Sequence, residues 1–191
     1  GFHAEVARQM LLTGDGVTLR VNGVRYFDKP PVLYWLMAGS FAAGGPTPLA
    51  ARFWSALAAV GIAAVTARLG QVLGGARVGL LAGLMVAANL GIYLYGRLVK
   101  PDMVFILCIV LAYAGFVLAY RGRGRAGLAL FYAGLGLATL SKDILGAVGP
   151  LAVVAIFFWL TRERPLGPWA PWWGVVLAAG LALPWYLLVE T

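Results

Sequence analysis

An aspartate follows a proline at the mouth of a long apolar run, Pro101-Asp102-Met103, with Arg97 and Lys100 just ahead of it. A carboxylate in that place has three uses: proton acceptor, metal ligand, or N-cap of the helix that follows, and position alone favours the cap. Lys29 stands between Asp28 and the pair Pro30-Pro31. Its plain role is an interfacial anchor or an ion pair with Asp28; its chemical role would be to hold an anionic headgroup or phosphate as a compact point charge. Lys142 and Asp143 adjoin between two apolar runs, where the simplest expectation is that they pair with each other. Each signal is weak alone. Gathered at one membrane surface, these cations and carboxylates would suit chemistry on a phosphorylated lipid. Cys108, the one cysteine, lies inside an apolar run and reads as an inert packed thiol, with no disulfide or thiolate metal cluster in prospect.

Whether those residues can meet depends on the elements that carry them. Hydrophobic residues make up 62% of the chain and charged ones 12%, against about 25% charged in soluble domains. Mean hydropathy is +0.87. Such a chain lacks the charge to cover a water-exposed surface, so the fold class is all-α, a polytopic transmembrane helix bundle. The net charge of +8 would suggest nucleic acid on a soluble protein, but here the arginines sit at the ends of apolar runs, where membrane topology explains them. The chain begins with Gly1, shows no signal peptide and stops at Thr191 directly after an apolar run, so a longer parent protein is expected.

A membrane-spanning helix takes about 20 apolar residues, and about six runs qualify. They lie near 53–73, 78–96, 103–120, 126–140, 144–160 and 172–189. Arg68 is close enough to a helix end to reach the interface, and Pro184 should kink the last span. Trp159, Trp169, Trp172, Trp173 and Trp185 cluster near span ends as an aromatic belt would. Gly79 and Gly83 have the spacing of ordinary close helix packing.

Residues 1–52 form a separate external segment, and 53–191 the bundle. Over 3–12, Glu5, Arg8 and Gln9 oppose Val6, Ala7, Met10 and Leu11, the pattern of a helix lying on the membrane. Gly14-Asp15-Gly16 breaks it. The apolar run 32–43 is too short to cross and follows two prolines, so a re-entrant or interfacial helix is expected.

Orientation comes from the arginines. Arg77, then Arg121, Arg123 and Arg125, then Arg162 and Arg164 occupy alternate links, with Glu163 as their only acid. The positive-inside rule makes that side cytoplasmic. The external segment, the link 97–102 and the link 141–143 then share the opposite face. Three stretches far apart in sequence, each charged, come out together.

Those stretches also carry a resemblance. His3-Ala-Glu-Val-Ala-Arg-Gln-Met10, then Gly14-Asp15-Gly16, then Asn22-Gly-Val-Arg-Tyr-Phe-Asp-Lys-Pro-Pro31 leading into Leu33-Tyr34-Trp35, resembles the first external loop of bacterial GT-C membrane glycosyltransferases. The likeness is to the protein mannosyltransferase type, which includes the aminoarabinose transferase of lipid A. Ala51-Arg52-Phe-Trp-Ser55, Gly96-Arg97-Leu-Val-Lys-Pro-Asp102-Met103, Ser141-Lys142 and Pro184-Trp185-Tyr186 continue it in order. Three departures stand out. The family's acidic pair, whose aspartate is the expected base, would fall just before Gly1; Lys142-Asp143-Ile144 replaces a usual Lys-Gly-Pro; and the family's second half is missing. The segment alone is therefore expected to be inactive.

The resemblance implies a polyprenyl-phosphate sugar donor, a lipid or protein acceptor, inversion at the anomeric carbon, and a site facing the periplasm from a bacterial inner membrane. It implies Asp102 as the remaining acidic residue for the catalytic carboxylate, Lys29 on the lipid phosphate with Arg97, Lys100 and Lys142 as further cations, and Asp28 as a position able to bind a divalent metal. A transporter or flippase of lipid-linked sugars would instead need polar groups at mid-membrane depth, for which Asn89 and Thr66 are the main candidates. A structural membrane subunit would leave the converging charges unexplained.

Overall fold

A computed structural model describes residues 1–162 and 169–189. Glu163 and Arg164, part of the arginine-side assignment, lie outside the described residues. The order is α1 (Phe2–Thr13), β1 (Arg20–Val21), β2 (Val24–Arg25), α2 (Val32–Gly44), α3 (Pro48–Gly74), α4 (Ala76–Ala87), α5 (Leu90–Tyr95), α6 (Asp102–Tyr120), α7 (Gly124–Ser141), α8 (Leu145–Thr161) and α9 (Trp172–Val189). The helical membrane bundle is as the composition requires.

Among the described residues, α3, α6 and α9 are long and apolar enough to cross a membrane unaided. The expected spans 126–140 and 144–160 appear as α7, with 18 residues, and α8, with 17. The expected span 78–96 is not continuous. It breaks after Ala87, and the Asn89 side chain accepts the amide hydrogens of Gly91 and Ile92 to start α5. An asparagine that can cap a new helix competes with continuing the old one. Its amide is thereby spent on local structure rather than on a transport path.

Helix α3 begins with Thr47 accepting from the Ala50 amide and Pro48 in the first turn, where a missing N–H costs nothing. A Cβ on Gly79 would come within 2.5 Å of the Ala67 carbonyl oxygen, and one on Gly83 within 2.8 Å of the Ala67 Cβ, so these glycines let α4 lie directly on α3. Gly115 and Gly127 do the same between α6 and α7, where added side chains would collide with the Phe131 and Ala119 backbones.

The first helix corrects an expectation. Val6 and Ala7 have no exposed surface and Met10 is buried, all in one apolar cluster with Leu33, Met37 and Phe41 of α2. The apolar face of α1 therefore packs on protein instead of on lipid, while Leu11 and Leu12 stay outside. Helix α2 has 13 residues, about 20 Å against about 30 Å of hydrocarbon, in keeping with a segment that does not cross.

Between α1 and α2 lies a small hairpin, β1–β2. Asn22 and Gly23 take positive φ, 51° and 82°, the pair that a tight primed turn demands. Arg20 pairs with Arg25 and Val21 with Val24. The preceding loop is held at both sides: Trp35 donates to the Gly16 carbonyl at 2.7 Å and Trp185 to the Val17 carbonyl at 3.0 Å. Trp185 is thus a buried clasp, not a belt residue. Trp169 and Trp173 likewise pack on the second apolar cluster, around Phe116, Phe131 and Phe158, whereas Trp159 and Trp172 are well exposed.

Candidate functional site

Asp102 opens α6, but it caps nothing: Pro101 occupies the N-cap, and no side-chain cap bond forms. Its Oδ1 instead accepts from the Lys142 ammonium at 2.8 Å, joining the start of α6 to the end of α7. Place in the first turn still favours the negative charge. The hydrogen bond to Asp102 is the main reason the Lys142 ammonium sits above its ordinary pKa. The expected Lys142–Asp143 pair is not what holds either residue. Asp143 accepts the Leu145 amide hydrogen at 2.9 Å, and the lysine is left to reach across to α6. An aspartate beside a free helix N-terminus finds that amide nearer than a lysine that must double back.

Asp28 and Lys29 do pair, Oδ2 to Nζ, at 3.6 Å. The Tyr26 hydroxyl donates to the same Oδ2 at 3.2 Å. Beside them is a cavity of about 450 Å³ lined by Phe27, Asp28, Pro30, Thr139, Lys142, Asp143, Trp185 and Tyr186, among others. It lies where the external segment meets the α7–α8 link and α9. The convergence inferred from alternate links is therefore physical for Asp28, Lys29 and Lys142. Lys100 and Asp102 share the neighbourhood, since both, with Lys29 and Asp28, act electrostatically on His3. Lys100 also lies over the Tyr95 ring at 5.2 Å.

Arg97 is not part of this group. Its guanidinium stacks 3.8 Å from the Tyr93 ring centroid and lines an apolar groove of about 450 Å³ between α3 and α4–α5. An arginine that turns onto an aromatic face gains a cation–π contact, and Arg97 does not line the cavity beside Asp28.

The site also includes residues that the sequence reading did not single out. His3, the only histidine, bonds through Nδ1 to the Tyr34 hydroxyl at 2.9 Å. Burial first, and then the charge of Lys100, hold its imidazole below the usual pKa, so it is neutral at pH 7. Being the only histidine, set in a charged external segment, was the available signal. Tyr26 and Tyr34 gave none, as tyrosines there read equally well as interfacial residues.

A divalent metal at Asp28 finds little support in its surroundings. Among the described residues no three His, Cys, Asp or Glu side chains gather as ligands. The Asp28 carboxylate already faces an ammonium and a hydroxyl donor, and Asp143 on the same cavity accepts the Leu145 amide hydrogen, so the residues present do not make a metal site.

The family model for dolichyl-phosphate-mannose-protein mannosyltransferase matches residues 28–187. Curated relatives include an undecaprenyl phosphate-alpha-4-amino-4-deoxy-L-arabinose arabinosyl transferase of Aeromonas salmonicida, 34% identical over 98% of this chain and 35% of the relative. The transferase of the same name from Edwardsiella ictaluri is 30% identical over 98% and 35%. Among solved structures, ArnT from Cupriavidus metallidurans in the apo state superposes with a TM-score of 0.93 at 26% identity, covering 99% of this chain and 36% of that one. The same protein bound to undecaprenyl phosphate gives 0.92 at 26%, covering 98% and 36%. The chain thus spans about a third of the length of the relatives it matches.

Proposed function

Because the chain belongs to the dolichyl-phosphate-mannose-protein mannosyltransferase family, we propose that it forms part of a membrane glycosyltransferase. The enzyme takes a sugar from a polyprenyl-phosphate donor and passes it to a lipid or protein acceptor, at the periplasmic face of a bacterial inner membrane. The observation that carries this reading is the cavity with Asp28 and Lys142 on its wall and Lys29 between two of its lining residues.

In the reaction the acceptor oxygen attacks the anomeric carbon from the side opposite the phosphate. The bond from that carbon to the phosphate oxygen breaks, its electron pair stays on the phosphate, and the acceptor proton passes to a carboxylate. Lys29 and Lys142 are assigned to the phosphate, where negative charge builds as the bond breaks. Lys100 adds to the positive field. Asp102 is assigned the proton, through the oxygen not committed to Lys142. A divalent ion at Asp28 belongs to this reading only with ligands from outside the described residues. Arg97 stands apart from this group, against the Tyr93 ring.

The test uses the full-length parent protein in lipid nanodiscs with a polyprenyl-phosphate sugar donor. Lys29→Ala should lower transfer per folded molecule by about ten- to a hundred-fold, the effect of losing a charge-assisted phosphate contact of about 1.5–3 kcal/mol. Lys29→Arg should recover part of it, because a planar fork does not replace a compact ammonium. Wild-type turnover in the alanine variant would remove Lys29 from the phosphate site. Absence of transfer in the wild type with every such donor would sink the enzyme reading.

A further inference from the structure

We propose that the arginine end of the bundle binds one anionic phospholipid, its phosphate held by Arg68 and Arg123 and an acyl chain laid between α3 and α6. This site is independent of the sugar-transfer reading: Asp102 opens α6, and Arg123 lies just past the far end of the same helix.

An apolar groove of about 360 Å³ runs between α3 and α6. One face of α3 forms its first wall, with Ala64, Arg68 and Val72 at successive helical turns, and Leu111 and Leu118 of α6 form the second. The two helices touch just before it, where a Cβ on Gly61 would come within 3.0 Å of Leu107 Cδ1. Past that contact the short side chain of Ala64, itself exposed, leaves the space open.

Two cations reach this groove from different elements. Arg68 stands about 30 Å along α3 from Pro48, about the thickness of a hydrocarbon core, so with Pro48 at one surface it lies at headgroup level by the other. It gives one N–H to the Gln71 side-chain oxygen, and its remaining donors are left for a ligand. Arg123 is placed by the way α6 stops. Gly122 takes φ 94°, its amide donates to the Ala119 carbonyl at 3.1 Å, and the Arg123 amide donates to the Leu118 carbonyl at 2.9 Å. That is the glycine stop common at helix ends, and a side chain at Gly122 would strain it. The turn folds Arg123 back toward Leu118, and both line the groove.

Neither arginine has a carboxylate partner among the described residues, and no carboxylate among them lines the groove. Arg121 and Arg125 flank Arg123 in the chain and add to the positive field. A phospholipid matches both halves of this site. Its phosphodiester accepts from planar guanidinium N–H groups, and its chain covers the leucines. A free anion would leave the apolar walls bare. A helix of the parent protein seated there would have to cover two arginines, at a desolvation cost unless it brought a carboxylate.

The experiment follows lipid binding to the full-length parent protein in neutral detergent by native mass spectrometry. The probes are palmitoyl-oleoyl phosphatidylglycerol and phosphatidylcholine with the same chains. One phosphatidylglycerol should bind about ten-fold or more tightly than phosphatidylcholine. Arg68→Gln/Arg123→Gln should abolish that preference, whereas Arg77→Gln, at the same end but outside the groove, should change it little. Ala64→Leu keeps every charge and fills the groove from an exposed position, so it should weaken phosphatidylglycerol about as much as the double variant does. Inorganic phosphate should not displace the lipid. Equal binding of the two lipids, an Arg77→Gln loss as large as that of the pair, or wild-type binding in Ala64→Leu would each overturn the proposal. Displacement by inorganic phosphate would leave an anion site and overturn the lipid assignment. No lipid preference, together with a lower unfolding temperature in Ala64→Leu, would mean that a segment of the parent protein fills the groove, and would overturn it too. Should the double variant fail to fold, the comparison of the two lipids and Ala64→Leu still decide the matter, and none of these readings needs turnover.

Discussion

The two ends of the bundle hold their charges in opposite ways. On the side of the external segment, four carboxylates each hold a cation, Glu5–Arg8, Asp15–Arg20, Asp28–Lys29 and Asp102–Lys142, while Arg97 and Lys100 rest on tyrosine rings. These four are all the ion pairs among the described residues. At the other end Arg68, Arg77, Arg121, Arg123 and Arg125 have no carboxylate partner among the described residues; Arg68 leans on Gln71, and Arg125 lies 5.9 Å from the Trp173 ring centroid. Unpaired arginines suffice to orient a membrane protein, because the effect depends on the count of positive charges and not on geometry. Paired charges specify geometry, since each partner restricts where the other can be. One end reads as topology and the other as chemistry.

The largest break in this contrast should come from packing at the arginine end. Gly127→Val drives a side chain into the Ala119 backbone and should cost about 3 kcal/mol or more, or prevent folding. Gly124→Val meets nothing within 4 Å and should leave thermal unfolding in detergent close to wild type. Equal stability for the two would mean that the α6–α7 contact is looser than its geometry.

Next comes the Asp102–Lys142 pair. Asp102→Asn and Lys142→Met should each reduce transfer by about ten-fold or more in the parent protein, and the double variant should lose less than the product of the two. Alanine at Arg121, Arg123 and Arg125 together should leave transfer per folded molecule unchanged while weakening correct insertion. A comparable transfer loss from the arginine triple would erase the distinction between the ends. With Cys108 replaced, cysteines at positions 29 and 100 should react with an impermeant thiol reagent from outside, and one at 123 should not. The reverse pattern would invert the topology.

Smaller effects should follow pH. The folded-state pKa of Lys142 is raised, so its pair contributes stability in full below the unfolded lysine value of about 10.5 and loses it as pH climbs through the higher folded value. Unfolding followed between pH 7 and 10 should show no decline from this pair. Glu5 runs the other way. Its hydrogen bonds to Arg8 and Gln9 lower its pKa to about 2, so its contribution is present above about 4.5 and lost as pH falls toward 2. Because Glu5 and Arg8 are solvent-screened, Glu5→Gln should change stability only slightly, and high salt should hide the change.

Much of this was legible in the sequence because it is local. Apolar run length gave the membrane helices; prolines and shortness gave the non-crossing length of α2; alternate arginine links gave the side on which Asp28, Lys29 and Lys142 gather. Asn22-Gly23 and Asn89 were equally local signals, a turn and a cap, and could have been read. The partners within the site were of another kind. Lys142 chooses Asp102, 40 positions away, over its neighbour Asp143; Trp185 reaches a carbonyl 168 positions back; and His3 finds Tyr34 across 31. Arg97 turns onto Tyr93 and leaves the group. The sequence by itself determined where most of the helices form and which links share an end of the bundle, since hydrophobic length and charge act within a short window of chain. Only the tertiary structure decided which charges meet, because glycine-tight packing of the helices sets where their ends lie, and a hydrogen bond depends on differences of less than an ångström.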